Sequence, residues 1–137
     1  MTTRTRLGVS IISALILSAC AAQPYRVVHV APTSDAGAIY TCALGLATSL
    51  GYTAAQANKD SGFFKVERSQ RKGPSSIHWG ETVNEELTVL VLTVPNQPPT
   101  LQVTAAANSS FGRNARLLEP TAEGKADAEK LIQTCAK

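Results

Sequence analysis

The chain has 137 residues, of which 44% are hydrophobic and 17% charged, with a formal net charge of +3, three cysteines and two histidines. That length suits one small domain with a modest core. So weak a basic excess gives no reason to expect nucleic acid as a partner.

The first element is a leader. Arg4 and Arg6 precede an apolar stretch from Leu7 to Leu17, interrupted only by Gly8, Ser10, Ser13 and Ala14. This order of charge and apolarity is that of a secretory signal. A membrane-spanning helix needs about 20 apolar residues, and Gln23-Pro24 ends the run too early. The stretch closes on Leu17-Ser18-Ala19-Cys20, which resembles the lipobox of bacterial lipoproteins. The resemblance implies that residues 1–19 are a cleaved signal peptide and that Cys20 becomes the first residue, carrying a diacylglycerol membrane anchor. In that family an aspartate after the cysteine tends to hold the protein at the inner membrane. Ala21 stands there instead, which implies an outer-membrane address facing the periplasm. The alternative is an ordinary signal peptide cut nearby. Without residues 1–19 the chain keeps 118 residues with 11 basic and 10 acidic side chains, a net of +1.

Three cysteines are an odd number for an exported chain. With Cys20 assigned to lipid, Cys42 and Cys135 are left, and an oxidising compartment would join them. The alternative is two separate buried thiols. A disulfide would close a loop of 93 residues, for which chain entropy suggests about 4–5 kcal/mol.

Residues 20–34 read as the lipidated cysteine and a tether, broken by Gln23-Pro24 and Ala31-Pro32. Fully stretched, about 14 residues reach roughly 45–50 Å. Tyr25 to Val30 is β-prone, and pairing with a sheet edge is the alternative. The domain proper is expected over residues 35–137. Ser34 or Asp35 can cap a first helix that Gly51 stops. Ile39, Cys42, Ala43, Leu46, Ala47 and Leu50 form its apolar stripe. Gly45 weakens that helix and suggests a close approach by another backbone.

Four strand candidates follow. Tyr52 to Ala57 is weak, and Asn58 to Gly62 turns it into Phe63 to Ser69 as a hairpin. Leu87 to Val94 is the strongest, and apolarity on both faces predicts a central place. Asn96-Gln97-Pro98-Pro99 leads into Thr100 to Ala107, where Leu101, Val103 and Ala105 alternate with Gln102, Thr104 and Ala106 to leave one wet face. Pro120 and Thr121 open a last helix with Glu123 in its first turn. Gly124, Ala128, Leu131 and Cys135 share one side of it, with Ile132 adjacent. The expected fold is α+β: two helices on one face of an antiparallel three- to four-stranded sheet, in the order α-β-β-β-β-α, with one disulfide linking the helices. The architecture is similar to the small helix-on-sheet modules of outer-membrane assembly lipoproteins.

No motif announces catalysis, a metal or a cofactor. His29 sits among valines. Ser75 to Glu81 gathers His78, Trp79 and Glu81 in one loop, but a lone histidine with scattered glutamates is a poor zinc set. Arg68, Arg71 and Lys72, with Arg113 and Arg116, could form one patch for an anionic surface if their loops meet at one end of the sheet; ordinary solvated loops are the alternative. The expected role is a lipid-anchored, non-enzymatic accessory or partner-binding module of the cell envelope. Its partners would be the membrane and an envelope protein. A periplasmic carrier of a small apolar ligand is the alternative, and a hydrolase or metal enzyme the weakest reading.

Overall fold

The computed structural model describes residues 22–71, 82–111 and 114–137, with the side chains of 71, 110, 111, 114 and 115 excepted. Eight elements run in the order β1 (Tyr25–Val30), α1 (Ala36–Ser49), β2 (Thr53–Asn58), β3 (Phe63–Arg71), β4 (Thr82–Leu92), β5 (Thr100–Phe111), β6 (Asn114–Leu118) and α2 (Ala122–Cys135). The strands form one antiparallel six-stranded sheet, ordered β1-β5-β4-β3-β2 with β6 also on β5.

The α+β class and its antiparallel sheet therefore stand, but three to four strands are too few. The segment expected to be a tether is in part β1, paired with β5 from Tyr25↔Ala105 to Val30↔Thr100. Its valines satisfy their backbone groups on a free edge, so the folded body begins at Tyr25 and not at residue 35. The stretch before the last helix, expected as loop, contributes β6, which pairs Leu118 with Ala107 and Leu117 with Asn108. Thus β1 and β6 lie end to end along the same side of β5.

Asp35 caps α1, its Oδ1 accepting the Ala38 N–H at 2.9 Å, and Gly51 at φ 88° ends the run. The α1 stripe buries Ile39, Ala43 and Ala47 and half-buries Cys42, Leu46 and Leu50. Tyr40 also turns inward and meets Phe64 of β3 edge to face, ring centroids 5.4 Å apart. Thr121 caps α2 through its hydroxyl, which accepts the Gly124 N–H at 2.9 Å. Both helices pack on the face formed by Phe64 and Val66, Leu87, Val89 and Val91, and Leu101, Val103 and Ala105. Cys42 and Cys135 are joined across the helix pair, with Cα atoms 5.7 Å apart.

Two expectations are corrected here. The β4 strand is central, yet only one of its faces is covered: Val83, Glu85, Leu87, Val89 and Val91 are buried while their neighbours stay partly open. With both helices on one side, nothing among the described elements lies over the other. Gly45 meets no close backbone, since a Cβ built there has nothing within 4 Å. Gly45→Ala should therefore raise stability by about 0.5–1 kcal/mol through helix propensity alone, read as a higher urea midpoint with unchanged slope. Gly62 is the opposite case: at φ 67°, a Cβ would lie 2.4 Å from the Val91 carbonyl oxygen.

Candidate functional site

The most unusual chemistry lies where β3, β4 and α2 converge. On β3, the inward side carries Phe64 and Val66, and the same alternation continues into Arg68 and Gln70. On β4 the inward side runs Val91, Val89, Leu87 and then Glu85. Register pairs Arg68 directly with Glu85. On α2, Asp127 shares the inward side with Gly124, Ala128 and Leu131.

These positions bring one cation among three carboxylates. The Arg68 guanidinium donates to Glu85 Oε2 from Nε at 3.1 Å and from Nη2 at 2.5 Å, and to Asp127 Oδ2 at 3.0 Å. It also pairs with Glu123 at 3.2 Å and donates to the Leu50 carbonyl at 2.8 Å, which ties the cluster to the end of α1. Its carbon lies 4.3 Å from the centroid of the Tyr52 ring. Gln70 Nε2 bridges Glu85 and Glu123, the Thr121 hydroxyl donates to Glu85 Oε1, and the Tyr52 hydroxyl donates to Asp127 at 3.1 Å. Burial, with Glu85 and Asp127 adding to it against the Arg68 cation, holds the Tyr52 hydroxyl neutral well above the ordinary tyrosine range.

The arrangement is closed. Glu85 is 2% exposed and Arg68 13% at the side chain, leaving Glu123 at 59% as the open member. Every buried side-chain nitrogen and oxygen among the described residues has a hydrogen-bond partner. A satisfied buried network specifies how elements dock, and this one locks α2 and the end of α1 onto the sheet. Among the described residues no group of histidine, cysteine, aspartate and glutamate is placed to hold a metal.

Arg68 is thus not a surface cation, contrary to the sequence reading: its strand alternation points it inward onto Glu85. Arg116 is exposed on β6, and Arg71 closes β3 opposite Thr82. Lys72 and Arg113 lie outside the described residues, as do Cys20, His78, Trp79 and Glu81. The register places Arg71, Thr82, Ser110 and Ala115 in one row, so β3, β4, β5 and β6 share that end of the sheet. His29 is exposed on β1. Sequence reasoning missed Asp127 and Tyr52, and although it names Glu85 among the scattered glutamates near His78 and Thr121 as opening the last helix, it did not join either to Arg68. The available signal was an arginine and a glutamate falling on the inward alternation of adjacent strands.

Among the described residues two surfaces are open. The uncovered sheet face carries Val28, Gln102, Leu90 and Phe63 in one row and Val30, Thr100 and Leu92 in the next. The β2 edge is exposed at all six residues, Thr53 to Asn58, and bears no charge. Its register against β3 shifts between Ala54 and Gln56. A shallow cavity of about 120 Å³, lined by Ala36, Gly37, Lys59 to Gly62, Val91 and Thr93, sits outside the core. Small-molecule sites usually enclose about 300–1,000 Å³. No helix among the described residues is long and apolar enough to cross a membrane.

No protein-family model matches the chain, and the curated proteins hold no match to it. Among solved structures, a crystal structure of a DUF4468 family protein from Bacteroides ovatus gives a TM-score of 0.48 at 10% sequence identity, over 69% of this chain. This chain spans 59% of that protein's length.

Proposed function

We propose that the chain is a lipid-anchored protein of the cell envelope, held through Cys20 in the outer membrane and facing the periplasm. It works without chemistry of its own, binding an envelope protein by strand addition along β2. The lipobox resemblance at Leu17 to Cys20 supports the anchor, and the Cys42–Cys135 pairing suits an oxidising compartment. The uncharged, fully exposed edge of β2 is the observation that carries the binding reading. Edge strands normally carry charge, proline or cover against pairing, and among the described residues this one has only a register shift. An extended partner segment would take its main-chain hydrogen bonds there.

A photo-crosslinker at Gln56 should give one discrete protein adduct in intact envelopes, and the same group at Lys130 on α2 should give none. Ala55→Pro lies at the register shift, outside the β2–β3 pairs, so it should abolish the adduct without unfolding the domain. An adduct that survives this substitution would count against strand addition. Cys20→Ala should leave unprocessed, unacylated precursor, and normal processing of that variant would remove the anchor.

A further inference from the structure

The uncovered sheet face has two unlike halves. On the β3–β4 side it carries the ion pairs of Lys65 with Glu67 and Glu86. On the outer side, along β6 and β1, register places Leu117, Arg26, Val28 and Val30 in line, backed by Asn108, Thr104, Gln102 and Thr100 of β5. Leu117 is 73% exposed, Val28 52% and Val30 49%. Arg26 is the charged residue of that line. Eight residues of β5 separate the ends of the strip, about 27 Å at 3.4 Å per residue.

We propose that this outer strip rests against the surface of the bilayer that anchors the chain; the inference depends on Cys20 being the lipidated residue. The N-terminal segment enters the sheet in the middle of the strip, between Leu117 and Arg26. It is held at its start: the Gln23 N–H donates to the Glu119 carboxylate at 3.0 Å and the Tyr25 hydroxyl to Glu129 at 2.6 Å. Cys20 lies three residues before Gln23, and three extended residues span at most about 11 Å. Roughly 5–8 Å of that is taken by the headgroup layer on one side of a bilayer. The edge formed by β1 and β6 is therefore held at the headgroups and does not stand clear of them.

The chemistry of the strip agrees with that position. Three exposed aliphatic side chains can enter the interface and Arg26 can meet a phosphate; Glu119, at the entry point, has its carboxylate on the Gln23 N–H, and Glu67 and Glu86 lie on the far half. The bilayer also approaches from the side opposite β2, which leaves that edge free.

The test uses acylated protein reconstituted in phosphatidylethanolamine–phosphatidylglycerol vesicles, with an environment-sensitive fluorophore on Leu117→Cys, Val28→Cys or Lys130→Cys. A quencher carried on the lipid headgroup or upper acyl chain should remove most emission at residues 117 and 28 and leave that at residue 130. With the acyl mass present, emission at 117 and 28 as resistant as at 130 would overturn the bilayer contact and spare the anchor. Shielding at 117 that ignores the lipid quencher would assign the strip to a protein, a second copy included, and would also overturn it. Absence of acyl mass would remove the anchor and this inference together.

Discussion

Arg68→Met should lower stability by about 3–5 kcal/mol, the usual cost of removing one partner from a buried ion pair. The guanidinium holds two buried carboxylates, an exposed one and the Leu50 carbonyl. Its loss leaves Glu85 and Asp127 facing each other with only neutral donors. Much of the effect is that uncompensated charge, so Arg68→Met combined with Glu85→Gln should recover part of it. Glu123→Ala should cost no more than about 1 kcal/mol, because an exposed ion pair is worth little. Lysine is no substitute at position 68, since it offers one compact charge where a planar fork reaches four acceptors. Urea unfolding of the set measures all of this; a loss below about 1 kcal/mol for Arg68→Met would show that the cluster does not lock the helices.

Cleaving the Cys42–Cys135 bridge is the second large effect. A loop of 93 residues predicts about 4–5 kcal/mol from chain entropy, against a total of about 5–15 kcal/mol for a small domain. The double variant Cys42→Ser/Cys135→Ser should therefore melt far below the oxidised protein, and a reductant should reproduce the shift in the parent chain alone. Membrane attachment should survive both treatments. Equal melting temperatures with and without reductant would deny the bridge a stabilising role. The two predictions address different states: the ion cluster acts within the folded protein, while the bridge chiefly restrains the unfolded one.

What can be read from the sequence follows from periodicity. The stripe from Ile39 to Leu50 and the side shared by Gly124, Ala128, Leu131 and Cys135 are long helical patterns; the second buries throughout, and the first buries Ile39, Ala43 and Ala47 and half-buries the rest. The β3–β4–β5 succession rests on apolar alternation and clear turns. Misses come where a strand's evidence is not local. Tyr25 to Val30 reads as β-prone, with pairing to a sheet edge as the alternative to a tether, and its long-range pairing with β5 decides for the strand. Asn114 to Leu118 has one basic residue, Arg116, and five positions are too few to show a period, so the free side of β5 makes it a strand. Charge groups Arg68 with Arg71 and Lys72, while its alternation with Val66 and Phe64 places it inward. Asp127 on the apolar side of α2 carries the same message.

The pairing of β1 with β5 also governs the order in which the molecule can be completed. A polypeptide that emerges N-terminus first releases β1 early, yet its neighbour Thr100–Ala105 arrives only after three intervening strands and the first helix. Ring closure over such a distance is slow and leaves the early segment unprotected meanwhile. The central hairpin of β3 and β4 can form promptly from local contacts, whereas the flank formed by β1 must be among the last parts to close.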